Sequence, residues 1–393
     1  MADTFITDIT VTKSRNIQNF DIPLSNDKKT HLILTGKNGS GKTSLLMDIN
    51  NVLDLSVRGV STSWLTWHDE QRKANFVTLR NVNEDNIRLW LSNPESNFYT
   101  IQKSFTTGNF IVAYFDAKRL STMAKPDGPK TVALKPMYTP KESVSKDFIQ
   151  YIVNLKVERS FAKDDNDIIS SQKIDAWFDR FLHHLRKLFQ SPELELEFDR
   201  KEYNFLLKEK DKAPYTFNQL ADGYSALFMI VSEIIMRMEG QKSAAYDIPG
   251  IVLIDEIETH LHVSLQKEIM PFLIDFFPNI QFIVTTHSPF VLSSIENAVI
   301  CDLERKTVSE NFSAYSYEGI VEYYFNAEKF SDAAKANFDE YKMLVGKKQL
   351  TAEENTRLAD LISYFDRVPV LGSPAIMNAF LELEMQRRSR NDG

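Results

Sequence analysis

His31-Leu32-Ile33-Leu34-Thr35-Gly36-Lys37-Asn38-Gly39-Ser40-Gly41-Lys42-Thr43-Ser44-Leu45-Leu46 is the stretch that decides the fold. Leu32-Ile33-Leu34 is a short apolar run of the kind a buried strand requires. Gly36–Thr43 then fits G-x-x-x-x-G-K-[ST] at every position. After Lys42, apolar residues recur at Leu45, Leu46, Ile49 and Leu53, the spacing of one helix face. A strand that passes through glycines into a helix start makes an anion cradle. The glycines let the backbone turn its N–H groups inward, and the helix adds its positive end. Gly36, Lys37, Asn38, Gly39, Ser40, Gly41, Lys42, Thr43 and Ser44 are therefore expected to bind ATP. Lys42 is placed at the β- and γ-phosphates, and the Thr43 hydroxyl on Mg²⁺.

Ile251-Val252-Leu253-Ile254-Asp255-Glu256 is a second apolar strand, and it ends in two acids. A parallel strand delivers its C-terminal residues to the ligand edge of a sheet. Asp255 is expected to hold Mg²⁺, mostly through water, and Glu256 to polarise the attacking water. Single acids often end strands because loops are solvated. A pair directly after four apolar residues is less ordinary. IQFIVTTHS (280–288) is a third short strand, and the helical LQKEIMPFLIDFF lies between the two. That order is a β–α–β unit and predicts a parallel sheet. His287 then leaves the sheet beside the same edge, where it can contact the γ-phosphate and help hold the water. Alone it reads as a bland strand-ending histidine; beside the other two motifs the catalytic reading is preferred.

Outside these segments, 5–24 reads as extended, and FVTLRNV (76–82) and NFIVAYFDAKR (109–119) read as strands. A polar, Lys- and Pro-rich stretch from about 121 to 145 reads as loop, and 147–190 as amphipathic helix. ELELEFDR and YNFLLKEK alternate like a hairpin, and after about 305 the chain reads as mostly helical and charged. The fold class expected is α/β, a P-loop NTPase with a mixed sheet. Its parts are an ATPase lobe (1–120), a mainly helical insertion (121–215), a second ATPase lobe (216–305) and a helical C-terminal region (306–393).

The bulk numbers agree with a globular protein. The 393 residues are 43% hydrophobic and 25% charged, with a formal net charge of −8. That charge excludes a generally basic surface but not a local basic groove. The single cysteine, Cys301, cannot form an internal disulfide, which fits a reducing cytosol. MADTFITDIT lacks the basic start and apolar stretch of a signal peptide, and no apolar run is long enough to span a bilayer. A cytoplasmic location without membrane contact of its own is expected.

Together the motifs resemble the ABC-type ATPases of the RecF, SMC and overcoming-lysogenization-defect group. The Walker B strand of that group often reads DEPExHLHP, and here the segment is Asp255-Glu256-Ile257-Glu258-Thr259-His260-Leu261-His262-Val263. THSPFVLSSI resembles its switch-histidine segment, and AYFDAKR (113–119) the stretch after its Q-loop strand. Leu220-Ala221-Asp222-Gly223-Tyr224-Ser225-Ala226-Leu227 resembles its signature, usually LSDGxxxL. The resemblance covers 1–120 and 216–305. It implies the ABC-ATPase head fold and a signature (Ala221, Asp222, Gly223, Tyr224, Ser225) that acts in trans. Two heads then close around two nucleotides, as a homodimer or higher homo-oligomer. Two departures stand out: the signature serine is Ala221, and both prolines of DEPExHLHP are absent. They imply slow or conditional hydrolysis.

The divergent signature and large insertion argue against a transporter subunit, and the absence of sustained heptads against a long-coil SMC protein. Past 305, Glu318, Asp332 and Asp339–Glu340 do not form the strand with Asp-x-Asp that a Toprim nuclease carries, so no intrinsic nuclease is expected. Two readings stay open. One is an ATPase of the kind found in Septu, retron-associated and PARIS anti-phage systems, which carries or restrains a separate effector, a nuclease. The other is a RecF-like DNA-repair ATPase that clamps DNA without an effector. Candidates for nucleic-acid contact are Lys118, Arg119, Arg180, Arg186, Lys187, Arg200 and Lys201, most of them better read as a solvated charged face. His183-His184 is read as structural, because neighbours on a helix point about 100° apart and no ligand cluster supports them.

Overall fold

The computed structural model describes residues 4–58, 76–81, 84–92, 98–119, 123–241, 247–310, 312–321, 332–347, 349–367 and 374–391. The chain divides into two compact units, Met1–Tyr315 and Ser316–Gly393.

The first unit opens with an antiparallel hairpin, β1 (Ile6–Ser14) and β2 (Ile17–Pro23). β3 (His31–Thr35) and α1 (Lys42–Arg58) follow, then β4 (Phe76–Asn81), β5 (Glu84–Leu91), α2 (Phe98–Thr106) and β6 (Ile111–Phe115). The expected strand at 109–119 is thus shorter, and β5, whose EDNIRLWL carries too many charges to announce itself, joins β1 and β4. That gives a four-stranded antiparallel sheet in the order β2-β1-β5-β4.

After a long connection come α3 (Phe148–Asp164), α4 (Ile168–Leu188) and a small sheet of β7 (Glu195–Asp199), β8 (Asn204–Lys208) and β9 (Tyr215–Thr216). The expected hairpin is present, with β9 added to it. The connection is pinned by a buried ion pair. Arg237 donates to Glu233 at 2.9 Å and to the carbonyls of Val112, Tyr138 and Thr139. Glu233 in turn accepts from the backbone N–H groups of Val144 and Ser145, both at 2.8 Å. A buried charge is tolerable only when satisfied this fully.

The chain then runs through α5 (Asp222–Gln241), β10 (Gly250–Ile254), α6 (Val263–Phe276), β11 (Ile280–Thr285), α7 (Pro289–Leu292), β12 (Ala298–Asp302) and β13 (Thr307–Glu310). The central sheet has the order β13-β12-β3-β11-β10-β6. Five of its strands, β12 to β6 in that order, pair in parallel, and β13 is antiparallel at one edge. The mostly helical region expected from 306 is preceded by one more strand, Thr307–Glu310, which completes this sheet. β3 sits between β11 and β12, so the two halves of the chain interleave and neither half completes the sheet alone. Every residue of β3, β10 and β11 is buried, as layers on both faces require.

One core joins the two larger sheets through α1, with Ile9, Val11, Leu45, Ile49, Leu53, Ile251 and Leu253 all at 0% exposure. Each such side chain contributes about 1.5–3 kcal/mol on burial. Gln281 adds a polar tie: its amide accepts from Ile6 N–H and donates to the carbonyls of Ile6 and Thr30, all at 2.8 Å.

The second unit contains α8 (Tyr317–Gly319), α9 (Asp332–Val345), α10 (Ala352–Asp366) and α11 (Pro374–Asn391). Phe338, Tyr341, Leu361, Phe365 and Phe380 form its core, and Tyr341 donates to Glu384 at 2.8 Å. Among the described residues no helix is long and apolar enough to cross a membrane.

Candidate ATP site

β3, β10 and β11 end side by side, so the loops after them share one rim. Backbone bonds lock that rim. Thr286 N–H donates to Leu34 O at 3.0 Å, Ile257 N–H to Thr285 O at 3.1 Å and Asp255 N–H to Phe115 O at 2.8 Å.

The loop after β3 needs its glycines. Gly36, Gly39 and Gly41 have φ of +132°, +83° and +103°, values that side chains with a Cβ rarely adopt. At Gly36 space is also short, since a Cβ would lie 2.9 Å from Ser40 Oγ and 3.2 Å from Glu304 N. Lys42 is buried and folds over the loop, donating to the carbonyls of Gly36 at 2.9 Å and Lys37 at 3.2 Å. Burial lowers its pKa, and the carboxylates of Glu256, Glu258 and Asp255 oppose that shift. Lys37, Asn38 and Gly39 are exposed, and Ser40, Gly41 and Ser44 are half-buried.

Thr43 and Asp255, 212 positions apart in the chain, meet here: the Thr43 hydroxyl donates to Asp255 Oδ2 at 2.9 Å. Asp255 is buried, and the fully buried Thr285 donates to its Oδ1 at 2.6 Å. The same Thr285 hydroxyl accepts Glu256 N–H at 2.7 Å. Glu256 takes φ +43°, a left-handed backbone for a residue with a side chain.

His287 lies on the adjoining loop. Its backbone N–H donates to Glu258 Oε1 at 2.5 Å, and the Thr286 hydroxyl donates to Glu258 Oε2 at 2.7 Å. Burial, and then Lys42, lower the His287 pKa against the opposing pull of Glu258, Glu256 and Asp255, which favours the neutral ring. Thr35 Oγ1, Ser40 Oγ and His287 Nε2 are buried without a hydrogen-bond partner among the described residues. Each unpaired buried polar atom costs about 1–3 kcal/mol. Three of them on the elements that bear this rim fit a ligand rich in oxygen.

The structure therefore brings Gly36–Ser44, Asp255, Glu256 and His287 to one rim. It does not join the signature to them. No hydrogen bond links Ala221–Ser225 to Gly36–Ser44 among the described residues. Ala221 and Asp222 are exposed, and Tyr224 stacks on Phe189 with ring centroids 4.8 Å apart. Gly223 packs instead against the turn after β10, where a Cβ would lie 3.0 Å from His260 O.

Sequence reasoning missed Arg119, Glu258 and Thr285 as parts of the site. Arg119, a candidate for nucleic-acid contact on sequence alone, is instead spent inside the fold. It is 5% exposed, and its guanidinium donates to the carbonyls of Asp255 and Glu256, both at 2.8 Å, and of Ile257 at 3.3 Å. Arg180 and Arg186 also spend donors inward, on Phe276 O and Leu194 O, and Lys187 pairs with Asp275 at 2.7 Å. Lys118, Lys187, Arg200 and Lys201 are exposed. His184 stacks on Phe276 at 4.1 Å with a pKa pushed down to about 4 by burial, in keeping with a structural role.

Residues 32–293 match the family described as "AAA domain, putative AbiEii toxin, Type IV TA system". The chain belongs to this family. Among curated relatives, it is 32% identical over 168 residues to "Retron Ec83 probable ATPase" of Escherichia coli, an overlap of 40% of this chain and 31% of the relative. It is 31% identical over 161 residues to "Septu protein PtuA" of Bacillus mycoides, 38% of this chain and 23% of that protein. The chain thus spans a third or less of the length of these two relatives. "Retron Vc95 probable ATPase" of Vibrio cholerae is 22% identical over 372 residues, 73% of this chain and 72% of that one. Among solved structures, an SMC head bound to the C-terminal winged-helix domain of ScpA aligns at a TM-score of 0.42 and 14% identity. That alignment covers 79% of this chain and 100% of that one.

Proposed function

We propose that this AAA-family chain binds Mg²⁺-ATP at the Gly36–Ser44 loop and hydrolyses it slowly. In this reading, nucleotide-held pairing of two heads scaffolds or controls a separate effector, a nuclease, in bacterial anti-phage defence. The observation that carries the nucleotide part is the meeting of Thr43 with Asp255 at 2.9 Å beneath the glycine loop, with Glu256 and His287 on the same rim.

Thr43 and Asp255 offer hard oxygen donors and would hold Mg²⁺, which when bound would neutralise phosphate charge. The N–H groups of the loop and the α1 N-terminus would orient the phosphates, and Lys42 would turn from its carbonyl partners to the terminal ones. Glu256 would accept a proton from the attacking water. Neutral His287 would hold that water or the terminal phosphate by a hydrogen bond. The signature residues Ala221–Ser225, which are exposed or half-buried, would cover a partner head's nucleotide.

The defence setting is supported by the retron and Septu relatives. The inward bonding of Arg119, Arg180 and Arg186 thins the proposed DNA face, leaving the exposed Lys118, Lys187, Arg200 and Lys201, and together with the retron and Septu relatives this favours the effector reading over the DNA-clamp one. Equilibrium ATP titration and sedimentation of the full chain test this. Lys42→Ala should lose ATP binding. Glu256→Gln should keep binding, lose turnover and accumulate ATP-held dimers. A strict monomer of Glu256→Gln at high concentration with saturating Mg²⁺-ATP would refute the pairing, and unaltered ATP affinity in Lys42→Ala would refute the site.

A further inference from the structure

Arg119 and Glu258 make bonds that neither packing nor strand pairing requires, and both end on the two loops that carry the chemistry. Asp255, Glu256 and Ile257 turn sharply off β10, and Glu256 holds a left-handed φ of +43°. Such a backbone is strained and persists only where the surroundings over-determine it. Arg119 supplies that constraint. Its planar fork takes three successive carbonyls, those of residues 255, 256 and 257, so the peptide planes on both sides of Glu256 are fixed by one rigid group. Thr285 holds the intervening N–H.

Glu258 extends the brace to the neighbouring loop. It leaves the same turn and uses both carboxylate oxygens there, on Thr286 Oγ1 and His287 N–H. Charge-assisted bonds of this kind are stronger than neutral ones. Ser288 is held on the same side, its hydroxyl donating to Gln266 Oε1 at 2.6 Å. The Glu256 turn and the His287 loop are therefore one braced unit. Among the described residues, neither Arg119 nor Glu258 makes a hydrogen bond to the phosphate-cradle residues Gly36–Ser44.

We propose that Arg119 and Glu258 are positioning residues for hydrolysis, holding Glu256 and His287 in register with each other while leaving nucleotide binding to the Gly36–Ser44 loop. The proposal rests on the hydrolysis reading above. A misplacement of about 1 Å in a catalytic group can cost on the order of 100-fold in rate, so the brace should act on kcat and not on KM.

The test uses the full chain as wild type, Arg119→Lys, Arg119→Ala and Glu258→Gln, with Lys42→Ala as the binding-dead control. Melting curves, ATP affinity by equilibrium titration, and kcat and KM for ATP hydrolysis are measured on each. Wild-type protein that binds ATP without turnover would sink the hydrolysis reading and not this assignment alone. Given wild-type turnover, Arg119→Lys and Glu258→Gln should fold, bind ATP within about threefold of wild type, and lose at least tenfold in kcat. Lysine should not rescue, because one ammonium cannot span three carbonyls. Arg119→Ala should lose at least as much kcat as Arg119→Lys. The proposal is overturned by kcat within threefold of wild type in folded Arg119→Lys or Glu258→Gln. It is also overturned by ATP affinity that falls in parallel with kcat, or by an Arg119→Lys protein that does not fold, which would make the arginine a folding element.

Discussion

Thr285→Val isolates one hydroxyl at the centre of the site. Thr285 is fully buried, and valine has the same branched shape, so the change opens no cavity. What is lost is polar. The hydroxyl donates to the buried Asp255 carboxylate at 2.6 Å and accepts Glu256 N–H at 2.7 Å. A hydrogen bond to a charged group contributes about 1.5–3 kcal/mol, and a stranded N–H costs about 1 kcal/mol more in a half-buried position. The variant should therefore lose about 3 kcal/mol, a large part of the 5–15 kcal/mol typical of a domain. Urea unfolding followed by tryptophan fluorescence suits the measurement. All four tryptophans precede residue 316, so the signal reports the first compact unit. The midpoint should fall with the slope unchanged. Thr285→Ser, which keeps the hydroxyl and removes one methyl, should cost only about 1 kcal/mol. If valine costs less than serine, the hydroxyl does not organise Asp255 and Glu256, and the reasoning about this rim is wrong.

Gly39→Ala has open space around its Cβ but a φ of +83°, so strain alone should cost about 1–2 kcal/mol. Gly36→Ala adds the collision with Ser40 and should weaken ATP binding more; the reverse order in an equilibrium titration would contradict the cradle geometry. The protein should also lose stability as pH falls. Burial holds His31 at a pKa of about 3 and His184 at about 4, both below the unfolded value near 6.5. The unfolded chain thus takes up protons first, so this stability is complete above about pH 6.5 and is lost as pH falls to about 4 for His184 and about 3 for His31. His31 alone should cost about 2 kcal/mol at pH 5. Denaturation at pH 7 and 5 checks the sign, and His184→Phe, which can keep the stack on Phe276, should flatten the dependence. In the second unit, Thr351 caps α10 by accepting Glu354 N–H at 3.2 Å. Thr351→Ala should raise hydrogen exchange across the first turn of that helix, matching a loss of about 1 kcal/mol, and unchanged exchange would dismiss the cap.

The glycine loop after β3 and the strand ends that carry Asp255, Glu256 and His287 were legible in the amino-acid sequence because their signals are local. A strand, a glycine turn and a helix start are written in consecutive residues, and an apolar run followed by Asp255-Glu256 marks a strand end without knowledge of its neighbours. Arg119 could not be read this way. Its surroundings, KR at the end of AYFDAKR, match those of a surface cation, and only the parallel pairing of β6 with β10 brings it under the carbonyls of the Glu256 turn. Glu258 is likewise one more acid in an acidic segment until β11 delivers His287 beside it. The interleaving of β3 between β11 and β12 was also beyond sequence reasoning, since strand order depends on which apolar faces bury best together, a property of pairs far apart in the chain. Local conformation thus follows from neighbouring residues, whereas partners for buried charge are decided by the sheet, because desolvation makes a charge seek whatever donors or acceptors the fold places within reach.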